Sequence, residues 1–342
     1  MAMHRATEQN GAPTVSVVLS VKNGGRDLPQ ALGTILNQSF TDFELIAINN
    51  GSTDETASYL DSIADPRVRV FHQEDAGLAA ALNRGISLAR GRYIARQDHD
   101  DWALPTRIAQ QVAFLDANPD HALVGTRAEI WVGDSPTGRF HDHPTQDVEL
   151  RFALLSNNFF VHSSVMMRKA ALDEVGVYTT ERSRQPPEDY ELWSRIARRF
   201  RIANLPERLT IYRELPKSMS RAGVNPFQEK VILIAAENLA VATDGTPKPR
   251  RIHLDIASLT HNAPEKVSQT ANIEEMCAVI SRAGAAIFGN RHFDVDDHPV
   301  AIWSRNLRYQ FTYYKLEKLG LQRAWIVASD LRRALRRFGL SI

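Results

Sequence analysis

Between Thr14 and Gln97 the apolar positions switch repeatedly between unbroken runs and helical spacing. Thr14–Ser20 is a β-branched run and predicts a buried strand. Asp27–Ser39 carries Leu28, Leu32, Ile35 and Leu36 on one helical stripe, with Asp27 as N-cap and Pro29 in the first turn. Phe43–Asn49 predicts a second strand, and Ser52–Ala64 a second helix opened by a capping box of Ser52 and Glu55. Arg67–Phe71 follows as a short strand. Gly77–Arg90 is an Ala/Leu-rich helix that Gly91 would close, and Arg92–Gln97 is the fourth strand. This βαβαβαβ order implies an α/β fold, with a mostly parallel sheet covered by helices on both faces. Ligands of such sheets bind beyond the carboxyl ends of the strands, which selects the loops after Ser20, Asn49 and Gln97.

Beyond residue 106 the pattern is mixed. Arg107–Asn118 reads as a helix, Ala122–Gly125, Glu129–Val132 and Ser163–Met167 as short strands, and Asp189–Phe200 as a helix. From about residue 221 the chain turns helical. Asp244–Arg251 links two helices, and Ile273, Met276, Cys277 and Ile280 mark another amphipathic one. The composition is ordinary for a globular chain: 342 residues, 43% hydrophobic and 24% charged. The 41 Lys and Arg balance 40 Asp and Glu, which gives no argument for a nucleic-acid partner. A single cysteine, Cys277, excludes an internal disulfide framework. The start of the sequence is polar and no run reaches membrane-spanning length, so a cytoplasmic protein is expected.

Three segments carry chemistry. Gln97-Asp98-His99-Asp100-Asp101-Trp102 crowds three carboxylates after a buried strand. Such crowding is costly unless a cation compensates, and Mg²⁺ favours one or two carboxylates plus substrate phosphates. The competing reading is a solvated turn, and the position at a strand's carboxyl end favours the cation. Asn49-Asn50-Gly51-Ser52 makes a tight turn whose free N–H groups suit a nucleobase or phosphate. Pro186-Pro187-Glu188-Asp189 places two carboxylates at a helix start, where the dipole favours their ionised form and a general base could sit.

Together these blocks resemble the family 2 glycosyltransferases, inverting enzymes with the nucleotide-diphospho-sugar-binding GT-A fold. The resemblance runs from about Pro13 to Ser220 through VSVVLSVKNGG, AINNGSTDET, GLAAALNRGISLARGRYIARQDHDDW and PPEDYELW. It divides the chain into a polar tail (1–12), a GT-A domain (13–220) and a helical C-terminal region (221–342). Within the domain, 13–105 would bind the nucleotide and 106–220 the acceptor. The resemblance implies Asp98 and Asp100 as the metal-binding D-x-D pair for Mg²⁺ or Mn²⁺, with Asp100 the direct ligand. It implies Ser20, Val21, Asn50, Ser52, Asn83, Arg84 and Asp98 around the donor nucleotide, Asp189 as catalytic base and Glu188 as its acidic neighbour. The donor would be a nucleotide-diphosphate sugar, with a UDP-sugar as the first expectation. The acceptor would be a hydroxyl of a glycan or lipid-linked glycan in cell-envelope polysaccharide synthesis.

Three departures accompany it. Asn49 and Asn50 replace the usual acidic pair, so the base specificity is open. Leu215 stands where many relatives have a histidine. The Gln-x-x-Arg-Trp signature of processive polymerases is absent, which implies single additions. Rival readings are a catalytically degenerate relative and a sugar-nucleotide pyrophosphorylase, whose mechanism has no place for an Asp189-type base. His141-Asp142-His143 reads as a surface loop, His162 as structural and Trp102 as core. In the last residues Val327, Leu331, Leu335 and Phe338 line one stripe flanked by Arg332, Arg333, Arg336 and Arg337. That pattern fits peripheral contact of 322–342 with an anionic membrane at its inner face, or packing on protein.

Overall fold

The structure is a computed structural model that describes residues 11–215, 227–289, 293 and 296–318. The polar tail up to residue 10, the 220/221 boundary and the basic stripe of 322–342 lie outside the described residues. The chain forms two compact units. One takes the chain up to Arg151 together with Asn158–Lys230; the other takes Phe152–Asn157 and the chain from Val231 onward.

The first unit opens with β1 (Val15–Val21), α1 (Asp27–Leu36), β2 (Phe43–Asn50), α2 (Thr56–Asp61), β3 (Val68–Gln73), α3 (Leu78–Leu88) and β4 (Tyr93–Gln97). Strands β1, β2 and β4 are buried at every position, which is why they read as mostly apolar runs without polar alternation. Val15, Val17 and Leu19 face α1 and the later helix α4 in one core, while on the other face a Cβ added to Gly85 of α3 would meet Val18 at 2.5 Å. The chain continues through β5 (Trp102–Ala103), α4 (Arg107–Ala117), β6 (His121–Val132), β7 (Ser135–His141), α5 (Asp147–Ala153), β8 (Met166–Arg168), α6 (Lys169–Val175), α7 (Glu188–Ala197) and β9 (Arg201–Glu214). All strands join one sheet in the order β3-β2-β1-β4-β8-β6-β9-β5, with β7 on β6. Pairing is parallel from β3 to β4, as expected. Beyond β4 it is mixed, because β8 runs antiparallel to both β4 and β6 while β6 and β9 are parallel.

Several local expectations change. The expected second helix begins only at Thr56, and Ser52 and Glu55 form no side-chain cap. Asp27 is not an N-cap; it lies inside the first turn of α1 and pairs with Arg213 at 2.9 Å. Gly91 closes no helix. It permits close approach, since a Cβ there would lie 2.6 Å from the Ser16 nitrogen. Ala122–Gly125 and Glu129–Val132 are parts of the one strand β6, whose register on β9 shifts around Arg127. Where a strand over Ser163–Met167 was expected, His162–Ser164 makes a 3₁₀ turn before β8.

The second unit is helical: α8 (Gln228–Asp244), α9 (Arg251–Thr260), α10 (Ile273–Phe288) and α11 (Pro299–Lys318). Leu239, Ile256, Met276, Ile280, Val300 and Leu307 form its core, with Phe152 and Leu155 packed among them. The Asn272 side chain caps α10 by accepting from the Glu274 and Glu275 nitrogens. Among the described residues no helix is long and apolar enough to cross a membrane.

Candidate active site

The carboxyl ends of β1, β2 and β4 open on a cleft of about 690 Å³ in the first unit. Ser20, Asn50, Asp98 and Asp100 line it from the strand ends, and Glu188, Asp189 and His162 line it as well. The three loops selected from the strand pattern thus meet at one place, as the topology of an open α/β sheet requires.

The acidic loop is built on buried arginines. Arg96, on β4, is 1% exposed and its Nη2 donates to Asp98 Oδ1 at 2.5 Å. Burial works most strongly against the Asp98 charge, but the charges around it, Arg96 first among them, together outweigh burial and hold the carboxyl below its usual range. Asp100 is pushed up instead, first by burial and then by the charge of Asp98. Asp101 is buried, accepts from the Ser163 hydroxyl and, at 2.8 Å, from the Arg213 nitrogen, and burial with its two acidic neighbours raises it well above the ordinary value. Fully buried Arg107 sits behind them, donating to the Arg96 and Ser163 carbonyls and to Gln97 Oε1; burial lowers it only to about 10, so it keeps its charge. Arg213 reaches Asp27 at 2.9 Å, Asp134 at 2.7 Å and the Asp100 carbonyl at 3.1 Å, and lies 4.7 Å over the Trp102 ring. This network fixes the backbone on which Asp98 and Asp100 stand.

At one end of the cleft Asn50 Nδ2 donates to Asp75 Oδ1 at 3.1 Å, and Lys22 Nζ donates to Asp75 Oδ2 at 2.5 Å. Gly51 allows the approach: its φ is +73°, and a Cβ there would stand 2.7 Å from the Asp75 nitrogen. At the other end Glu188 and Asp189 open α7. Asp189 accepts from Asn158 Nδ2 at 2.8 Å and from the Tyr190 nitrogen at 2.7 Å. The helix start was expected to keep these carboxyls ionised, but burial and the charge of Glu188 outweigh it and raise Asp189 to about 7. Burial raises Glu188 as well.

Other expected residues fall elsewhere. Val21 turns into the core. Ser52 Oγ accepts from the Asn23 nitrogen at 2.9 Å, which locks the first two loops together without lining the cleft. Asn83 donates to the Tyr178 carbonyl and Arg84 to the His72 carbonyl, so α3 braces β3 and the segment around Tyr178 with them. His162 is both structural and cleft-lining: it bonds the Tyr178 hydroxyl at 2.9 Å, and burial lowers it to about 3, leaving it neutral. Trp102 is core, edge-on to Trp131 at 5.4 Å. His141 and His143 stack at 5.1 Å among Tyr212 and Phe159. Sequence reasoning missed Lys22, Asp75 and Arg213. Asp75 follows the third strand, so the strand-end rule applied to a fourth loop would have found it.

The profile of the family described as glycosyl transferase family 2 matches residues 16–176. EpsE of Bacillus subtilis (strain 168), a glycosyltransferase by name, is 32% identical over 66% of this chain and 82% of its own length. The O-antigen biosynthesis glycosyltransferase WbnJ of Escherichia coli is 30% identical over 63% of this chain and 85% of its own. The chain belongs to glycosyltransferase family 2. An uncharacterized glycosyltransferase of Haemophilus influenzae is 31% identical over 59% of this chain, and the match spans 65% of that relative. Among solved structures, S. aureus TarS 1-349 in complex with UDP-GlcNAc superposes with a TM-score of 0.59 at 16% identity, over 90% of this chain and 92% of TarS. That likeness establishes the GT-A fold. Within this family 2 chain the cleft, the acidic loop and the start of α7 lie in the α/β unit, and the profile match ends between the acidic loop and Asp189.

Proposed function

We propose that the chain is a metal-dependent inverting glycosyltransferase. It moves one sugar from a nucleotide-diphosphate donor to a hydroxyl of an envelope glycan or lipid-linked glycan. The observation that carries this reading is Asp189: a carboxyl raised to about 7, facing the same cleft as Asp98 and Asp100. A group poised near neutrality accepts a proton well while remaining largely free to do so. In a single displacement Asp189 takes the acceptor's hydroxyl proton as the oxygen attacks the anomeric carbon. Asn158 and the Tyr190 nitrogen orient it.

Among the described residues no three His, Cys, Asp or Glu side chains come together as a metal cage. Asp98 and Asp100 nevertheless fit a hard cation that takes its remaining ligands from phosphate, because the strain of Asp98's charge on Asp100 is what a cation relieves. Bound there, Mg²⁺ or Mn²⁺ would stabilise negative charge on the leaving diphosphate.

The test is thermal unfolding with nucleoside diphosphates and their sugars, each with Mg²⁺, Mn²⁺ or EDTA. Ligand at 100 times its Kd adds about 2.7 kcal/mol to native stability. A shift that needs metal and vanishes in Asp100→Ala supports the reading. No shift with any nucleotide overturns it.

A further inference from the structure

We propose that this chain selects a donor whose base is a pyrimidine imide, uracil or thymine, and that Asp75 is the group that reads the ring N3–H. The inference rests on the donor reading above and concerns the cleft end where Lys22, Asn50, Asp75 and Leu78 meet.

Residue 50 cannot supply the acceptor. Asn50 Oδ1 already takes Gln73 Nε2 at 2.8 Å and the Ala76 nitrogen at 3.1 Å, which uses both lone pairs of an amide oxygen. What Asn50 has left is the second hydrogen of Nδ2. Asp75 differs. Its Oδ1 accepts from Asn50 and from the Gly77 nitrogen, both at 3.1 Å, while its Oδ2 accepts only from Lys22. One lone pair of Oδ2 therefore stays open, and Lys22 keeps two further N–H groups. Asp75 stands between Asn50 and Lys22 and is bonded to both. The cleft end thus presents donor, acceptor, donor in sequence. A pyrimidine imide presents the complement: carbonyl, N–H, carbonyl. Cytosine offers a bare N3 lone pair to the carboxylate and so repels it. Guanine sets two donors side by side, and adenine has no carbonyl for either flanking donor. Leu78 supplies an apolar surface beside the ring. The arrangement is held by the Gly51 contact with the Asp75 backbone, not by the base itself. A site built to bond an N–H discriminates strongly against rings that lack it, because its own groups are then left unpaired.

Titration calorimetry with UDP, dTDP, CDP, GDP and ADP in Mg²⁺ tests this on the full chain. UDP or dTDP should bind at least tenfold tighter than the other three, and the UDP and dTDP arms identify which imide is taken. In Asp75→Asn the amide can turn an N–H toward N3. UDP should then weaken tenfold or more, and the UDP-to-CDP ratio should fall at least as far. Lys22→Met should weaken the imide several-fold while keeping the ranking. Equal affinity for all bases, or an unchanged ratio in Asp75→Asn, overturns the assignment and leaves the donor reading standing. Failure of every nucleoside diphosphate to bind wild-type protein overturns both.

Discussion

Asp98 stands at the end of β4 and meets a guanidinium; Asp189 stands at the start of α7 and meets another carboxyl and an amide. Both line one cleft, and burial raises both. For Asp98 the surrounding charges, led by Arg96, reverse the sign, whereas for Asp189 the Glu188 charge adds to it. One residue type is thereby split into a permanent anion and a group near neutrality. The role of each carboxyl is set by the charges around it more than by its exposure or its place on a helix or strand.

The largest effect comes from removing the proton acceptor. Asp189→Asn should lower transfer by roughly 10³-fold, within the range of general-base catalysis, while donor affinity stays within a few-fold. In the wild-type chain kcat/KM should fall about tenfold per pH unit below 7, because the working form of Asp189 is the ionised one. Stability moves the other way. A carboxyl raised from 3.8 to about 7 stabilises the fold fully below its unfolded value and loses that contribution as pH rises through 7. Asp189→Asn should therefore raise Tm more at pH 8 than at pH 5. A flat rate profile, or an equal Tm change at both pH values, would break the contrast from the Asp189 side.

Arg96→Met attacks it from the other side. The guanidinium is 1% exposed and its partner Asp98 is 26% exposed, so the variant leaves a carboxylate on a desolvated floor. Removing one partner of a buried pair costs about 3 kcal/mol or more, which chemical denaturation would read directly. Metal-dependent donor binding should fall with it, while the upward shift of Asp189 persists. Unchanged stability would mean that solvent, not Arg96, carries the Asp98 charge.

The same contrast explains what could be read from the chain. The parallel half was legible because β1, β2 and β4 are buried on both faces and leave runs that are mostly apolar. The mixed half was not, because β6 shifts register around Arg127 and β9 interleaves buried residues with exposed Pro206 and Glu207. Asp98, Asp100, Glu188 and Asp189 were visible as short acidic motifs at element ends. Their controlling partners were not, since they act across the fold. Arg213 bonds Asp27 and Asp101 from 186 and 112 residues away, and Asp75 meets Asn50 only because Gly51 lets two loops touch. Arg96 is close by in sequence, two residues from Asp98, but within the fourth strand nothing in its spacing marks it as the partner of that carboxyl. No local pattern distinguishes a buried arginine that serves an acidic loop from one that faces water.

The smallest effect refines the comparison. Asn158 is to Asp189 what Arg96 is to Asp98: a side-chain donor to the carboxyl, at 2.8 Å, but uncharged. It favours the ionised form too weakly to offset burial. Asn158→Ala should therefore raise the Asp189 pKa further, by about half a unit for the loss of one neutral donor. The rising limb of kcat/KM would move to higher pH by that amount. Transfer at pH 6 would drop roughly threefold, and transfer at pH 9, where Asp189 is ionised in either protein, would stay the same. A pH-independent loss would assign Asn158 to substrate contact instead. A limb moving to lower pH would show that the amide had been stabilising the protonated carboxyl, with its carbonyl and not its N–H turned toward Asp189.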